Sequence, residues 1–375
     1  MPSGEQSAAS PLVPVSEPSI GRREAALVLS ALRSGWVSSL GPYVEAFERS
    51  FAEYCGAEHA LALSSGTAGL HLALAALNIG PGDEVIIPDL TFVATANAVA
   101  YTGARPVLAD IDNDSLCIDP SSIEVLISQR TKAIIPVHLF GHPADMDPIR
   151  DLAAAHGIKV IEDAAEAHGA EYKGRRTGIL GDCAVFSFYG NKVITTGEGG
   201  MLVTNDRRLY ERAWRLHGHS MSPTRRYWHD AVGFNYRMTN IQAALGVAQM
   251  ERIGEFLERR REIVRWYEGS VMQRPGVRLN RVKQWAKSAY WMVCLEVDRF
   301  DERSRDEFMA RLLKRGIDTR PYFRPLSSMP MYAQAPLPLA SRKAAIGLNL
   351  PTYFNLTRAD VERVASAVNE LLAES

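Results

Sequence analysis

Val160-Ile161-Glu162-Asp163-Ala164-Ala165-Glu166 carries an apolar run straight into carboxylates, and Ser187-Phe188-Tyr189-Gly190-Asn191-Lys192 follows a short distance on. The first stretch reads as a buried strand that ends at Asp163 and opens into a helix or turn. The second ends in a lone lysine, and Thr195-Thr196-Gly197-Glu198-Gly199-Gly200 comes soon after it. A loop so rich in Gly and Thr is a poor surface helix, but it suits a backbone that must approach something closely.

The same strand signal recurs on both sides. Ala60–Leu63, Glu84–Pro88, Pro106–Asp110, Thr131–His138 and Ile158–Glu162 are short apolar runs bounded by turn residues, and Met201–Thr204 reads as a further strand. Helical spacing occupies Ala68–Leu77, Thr91–Tyr101 and Asp147–His156 between them, and Glu24–Arg33 and Pro42–Tyr54 before them. Alternating strands and helices predict an α/β fold with a mostly parallel sheet covered on both faces. Ligands of such sheets gather beyond the carboxyl ends of the strands. Asp110, His138 and Asp163, all at predicted strand ends, are therefore the first candidates.

Thr239 can cap a long helix from Asn240, with Ile241, Ala244, Leu245, Ala248, Ile253 and Leu257 on its apolar side. That helix leads from a large domain, residues 13–250, to a smaller carboxyl-terminal one, residues 251–375. The smaller domain should hold a strand at Tyr290–Val297 and helices at Arg305–Lys314 and Arg358–Ala373. Residues 1–12 read as a flexible tail without the basic and apolar regions of a secretory signal.

The chain has 375 residues, 46% of them hydrophobic, enough for a large core in two units. Lys and Arg number 42 against 43 Asp and Glu, so no overall field favours nucleic acid or anionic lipid. No apolar run is long enough to span a membrane, and the chain reads as cytoplasmic. Cys55, Cys117, Cys183 and Cys294 lie far apart, without a CxxC pair, and read as reduced. The pairs His138 with His142 and His217 with His219 lack companion ligands at zinc spacing, so no metal is expected.

Each candidate has a structural alternative beside its chemical one. Ser64-Ser65-Gly66-Thr67-Ala68 can bind phosphate at a helix start, or simply cap the helix. Asp163 can hold a protonated pyridine nitrogen, or cap the next helix. Glu166, three residues on, completes a capping box or meets a ligand. Phe92 can stack on a planar ring or pack in the core. Asn235 and Arg237 can meet an anion, across a subunit boundary, or shape the turn before Thr239. Lys192 is the sharpest candidate, because a desolvated lysine attacks an aldehyde. A carbonyl-trapping lysine beside a carboxylate for a ring nitrogen is what pyridoxal 5'-phosphate (PLP) requires.

Taken together, Ser64 to Ala68, Val160 to Gly169, Ser187 to Lys192, Thr195 to Gly200 and Asn235-Tyr236-Arg237-Met238-Thr239 resemble the PLP-dependent nucleotide-sugar aminotransferases of the DegT/DnrJ/EryC1/StrS family. The resemblance runs from Pro14 to the last helix. It implies the PLP-dependent transferase fold of aspartate-aminotransferase type, and a homodimer with active sites at the subunit boundary. It implies that Lys192 carries the cofactor and shuttles the proton, and that Asp163 pairs with the ring nitrogen. Glu166, where many relatives have Gln, would approach the ring oxygen. Gly66, Thr67, Ala68 and Ser187 would hold the phosphate, Phe92 would stack on the ring, and Asn235 would reach the partner's cofactor.

Within the family the chain is most similar to members that convert GDP-4-keto-6-deoxymannose to GDP-perosamine with glutamate as amino donor, a step toward lipopolysaccharide O-antigen. Thr319 to Leu326 resembles a sugar-site loop, which brings Arg320 and Tyr322 in as substrate candidates. Relatives often carry His after its Pro-Leu pair, whereas this chain has Ser327. A UDP- or dTDP-linked ketosugar is the alternative substrate. Relatives that are sugar dehydratases carry histidine in place of the lysine, which separates Lys192 from them. A non-catalytic regulator on the same fold is the remaining alternative.

Overall fold

The computed structural model describes residues 11–374. The expected tail falls outside them for residues 1–10. Pro11 and Leu12 are exposed, and Val13 already pairs with Ile317.

Seven short strands lie side by side in the order His59–Leu63, Gly200–Thr204, Cys183–Ser187, Lys159–Asp163, Thr131–Ile134, Glu84–Pro88 and Arg105–Ala109. All neighbours pair in parallel except Gly200–Thr204, which runs antiparallel to both of its partners. Every residue of Glu84–Pro88 and Gly200–Thr204 is buried. That is what helices on both faces demand, and it explains why these strands read as continuous apolar runs. The mostly parallel α/β sheet expected from the sequence is the one observed.

The helix predicted to run unbroken from Asn240 ends at Met250, and a second one spans Ile253–Ser270. Thr239 caps the first through a capping box with Gln242. The break falls where the chain is pinned sideways. Gln249 Nε2 and Arg252 Nη1 both donate to Glu24 Oε1, at 2.8 and 3.0 Å, and Glu24 is itself buried. Phe256 and Leu257 pack into the core of the large sheet, while Ile263, Val264 and Tyr267 pack into a second core. That second core covers a four-stranded antiparallel sheet in the order Val277–Leu279, Val293–Val297, Gly347–Leu350 and Arg320–Pro321. Helices Glu302–Lys314 and Arg358–Glu374 pack on it.

Most other bounds moved by a residue or two. Thr131–Ile134 stops short of His138, and the helix expected from Thr91 begins at Ala94. All four cysteines are buried and free. No helix among the described residues is long and apolar enough to cross a membrane.

Candidate active site

An open cavity of about 420 Å³ lies at the carboxyl ends of the parallel strands. Its lining includes Gly66, Thr67, Phe92, Asp163, Glu166, Ser187 and Lys192 from the sequence-based set. Segments far apart in the chain therefore converge, as the topology of a parallel sheet allows.

Asp163 closes the strand Lys159–Asp163 and is buried. Its Oδ2 accepts from Thr95 Oγ1 at 2.8 Å, and its Oδ1 from the Ala165 N–H at 3.2 Å. Burial pushes this carboxyl above the ordinary aspartate range, against the pull of those bonds and of Lys192. A buried carboxylate with spare acceptor capacity is suited to a cationic N–H.

Beneath it, His138 and Glu162 form a fully buried pair. The Ala144 N–H donates to His138 Nδ1 at 3.0 Å, so Nε2 carries the proton it gives Glu162 Oε2 at 2.9 Å. Glu162 also accepts from the N–H groups of Gly178, Leu180 and Gly181. His138 N donates to Asp163 O, which fixes the strand end that presents Asp163. His138 is thus a brace for the site and does not line the cavity. Asp110, the other strand-end candidate, is a helix cap: its carboxylate accepts from Leu339 and Ala340 N–H at 3.0 and 2.8 Å.

Lys192 is mostly buried, and its Nζ lies 3.3 Å from Glu166 Oε1 and 3.8 Å above the Trp291 ring centroid. Glu166 Oε2 accepts from the Phe140 N–H at 2.9 Å. Burial raises the Glu166 carboxyl, opposed chiefly by Lys192.

The helix Gly66–Ala76 points its start at the same cavity. Ser65 caps it by accepting from Ala68 N–H at 3.1 Å, which commits the Ala68 donor. Gly66 and Thr67 retain first-turn N–H groups without helical acceptors. A Cβ on Gly66 would stand 2.9 Å from Ser187 Cβ, so only glycine lets the Ser187 hydroxyl lie against this helix start. Gly200 likewise admits no side chain, because its Cβ would fall 2.5 Å from Ser65 carbonyl carbon. The Gly-rich loop thus packs the helix start against the Ser187 strand, forming a donor cradle fit for phosphate. Phe92 is 55% exposed, its ring 5.7 Å from that of Phe323. The donor cradle, the exposed aromatic face, the buried carboxylate and the lysine together fit pyridoxal phosphate.

Three sequence candidates lie elsewhere. Arg320 is exposed and paired with Asp318. Tyr322 is buried against Gly347 and Phe140. Extended chain turns successive side chains to opposite sides, so Phe323 faces the cavity in place of Tyr322. Asn235 is exposed and outside this chain's own cavity. Thr95, Tyr189, Glu198 and Trp291 were missed by sequence reading. Thr95 sits within the predicted helix after Thr91, where a hydroxyl looks like a cap. Trp291 lies just before the strand Val293–Val297, with no motif around it.

Residues 18–369 match the DegT/DnrJ/EryC1/StrS aminotransferase family. The chain is 48% identical over 367 residues to a GDP-perosamine synthase of Caulobacter vibrioides, covering 96% of this chain and 99% of that one. Among solved structures it is similar to DesV of S. venezuelae, with a TM-score of 0.91, 37% identity and coverage of 98% and 100%. A putative sugar aminotransferase of Streptococcus pneumoniae, Spr1654 in its PLP form, gives a TM-score of 0.91 at 28% identity, with coverage of 97% and 99%.

Proposed function

The chain belongs to the DegT/DnrJ/EryC1/StrS aminotransferase family, a PLP-dependent sugar aminotransferase, and on that premise we propose that it converts GDP-4-keto-6-deoxy-D-mannose to GDP-perosamine, with L-glutamate as amino donor. The amine of glutamate passes to C4 of the sugar, and 2-oxoglutarate leaves. The likeness to relatives named GDP-perosamine synthase, over nearly the whole chain, supports this substrate. The observation that carries the chemistry is the convergence of Lys192 and buried Asp163 on a cavity that also holds a helix start.

Bound PLP supplies an aldehyde for amines and a ring that accepts electrons once its nitrogen is protonated. Lys192 would hold the cofactor through its Nζ, and the same Nζ would carry the proton of the transfer. Asp163 would keep the ring nitrogen protonated, and Glu166 would serve the ring oxygen. Gly66, Thr67 and Ser187 would bind the phosphate, and Phe92 would offer its face to the ring.

Asn235 serves the cavity of a second copy in a homodimer. Exposed Trp36, Val37, Leu40, Trp228 and Val232 offer apolar side chains to such a contact. A cytoplasmic location belongs to the same proposal. The test is a panel of GDP-, UDP- and dTDP-linked 4-ketosugars with glutamate, read by mass spectrometry. Amination of the GDP sugar alone supports the reading. Turnover of only the UDP or dTDP sugars overturns the substrate while leaving the cofactor chemistry intact.

A further inference from the structure

Trp291 makes three contacts, two of them with Lys192 and the residue before it. Its ring face lies under Nζ, 3.8 Å from the centroid. Its Nε1–H donates to the carbonyl of Asn191, the residue before the lysine, at 2.8 Å. Its own carbonyl accepts from Arg260 Nη1 at 2.7 Å. Arg260 is buried, and the same Nη1 reaches the carbonyls of Tyr290 and Thr352 at 3.4 and 3.3 Å. It therefore works as a clamp on backbone, without a carboxylate partner in these bonds.

Phe140 joins this tryptophan to the other group on the lysine. Its N–H donates to Glu166, and its carbonyl accepts from Trp291 N–H at 3.1 Å. Phe140 and Tyr290 both take positive φ, 53° and 49°, a strained choice for aromatic residues. Gly141 permits the docking, since a Cβ there would stand 2.8 Å from the backbone nitrogens of Tyr290 and Trp291. One peptide segment thus sets the distance between the carboxylate and the aromatic face that hold Nζ.

We propose that Trp291 is a positioning residue for the proton transfer: with Glu166 it forms the resting place of the Lys192 ammonium whenever that amine is free of the cofactor. The proposal rests on the reading that Lys192 carries the cofactor. A lysine that has taken a proton is a cation, and an indole face attracts a cation electrostatically. The other titratable or charged groups around the amine are Asp163 and His168, Glu198 on the cavity wall, and Glu17 and Arg260 in a small space behind it. Burial pushes the His168 pKa down to about 3, so this ring is neutral. Among aromatic rings, Trp291 is the one placed over the ammonium within the described residues.

The experiment has two arms. In the cofactor-free full chain, lysines are reductively methylated with ¹³C-formaldehyde, and methyl signals are recorded by NMR. A lysine held over an indole face gives a signal displaced upfield by the ring current. That signal should be present in the wild type and absent from both Lys192→Ala and Trp291→Leu. In the loaded enzyme, glutamate bleaching of the yellow band is followed by stopped flow. Trp291→Leu should bleach roughly 3- to 30-fold more slowly, the rate equivalent of losing a cation–π contact. It should also show a larger α-deuterium isotope effect, because proton transfer then limits more of the rate. Trp291→Phe should recover most of the loss. PLP affinity and thermal melting are measured on each variant, and Trp291→Phe carries the test should the leucine variant unfold. A missing upfield signal in the wild type, or an unchanged isotope effect in a folded variant with slow bleaching, overturns the proposal. Absence of any yellow band in the wild type would instead overturn the cofactor reading beneath it.

Discussion

Thr95 Oγ1 donates to Asp163 Oδ2 across 2.8 Å, inside a site where both residues are buried. Burial raises the Asp163 carboxyl, and this bond is the largest effect opposing it. Thr95 therefore favours the charged form of the carboxylate, the form that pairs with a protonated ring nitrogen. Thr95→Val keeps shape and removes the donor. A net hydrogen bond is worth about 1 kcal/mol, so PLP should bind roughly fivefold more weakly. Titration of cofactor-free protein, followed by absorbance, measures it. Asp163→Ala should remove the counter-charge altogether and cost far more turnover than Thr95→Val.

Lys192→Ala should abolish turnover. A positioned acid–base group contributes about 10²- to 10⁴-fold, and this variant also loses the covalent attachment of the cofactor. The purified variant should lack the yellow band while keeping its thermal melting point within a few degrees. Turnover near the wild-type rate would remove Lys192 from the mechanism.

The meeting of Lys192 and Asp163 at one cavity was legible in local sequence: an apolar run ending in Asp, and a lysine in a loop of Gly and Thr. The parallel sheet was legible for the same reason, through strands such as Glu84–Pro88 that are buried along their whole length. The contributions of Trp291 and Phe323 were not, because tertiary packing brings these distant stretches of chain to the cavity, and no short-range pattern encodes a packing distance. Tyr322 and Phe323 show the limit clearly. Both belong to the loop that resembles a sugar site, but only Phe323 lines the cavity, and which of two neighbouring rings turns inward is beyond what spacing reveals. The break at Glu251 and Arg252 was hidden similarly, since its cause is a long-range tie to Glu24.

Asp89 and Ser327 fasten that loop to the large sheet. Asp89 is fully buried just beyond the strand Glu84–Pro88 and accepts from Ser327 N–H at 2.7 Å and Ser327 Oγ at 2.8 Å. Its carbonyl also accepts from Leu326 N–H at 2.9 Å. The chain on either side of this latch carries Phe92 and Phe323, whose rings face each other at the cavity. Ser327→Ala removes one bond to a buried carboxyl, worth about 1.5–3 kcal/mol when that group is charged. The melting point should fall, and KM for the nucleotide sugar should rise several-fold more than KM for glutamate. Equal changes in both constants would show that the latch supports the fold without shaping the sugar end of the cavity.

Glu48 gives the fold a pH dependence that is separate from catalysis. It lies on the helix Pro42–Cys55, and its Oε1 accepts from the Ala62 N–H of the neighbouring strand at 2.8 Å. Burial, helped by repulsion from Glu45, pushes its pKa from the ordinary 4.5 up to about 7, and the Ala62 bond only partly offsets this. A carboxyl whose pKa is higher when folded binds its proton more tightly in the folded state. The stability it contributes is fully present below about 4.5 and is lost as the pH rises to about 7. Within that window the loss amounts to at most about 1.4 kcal/mol per pH unit. Glu48→Gln keeps the acceptor for Ala62 and has no proton to lose. Its unfolding free energy, measured in urea between pH 4 and pH 8, should therefore gain on the wild type as the pH climbs through that window and then run parallel to it. A constant difference across the whole range would mean that Glu48 titrates alike in the folded and unfolded chain, so that burial does not raise it.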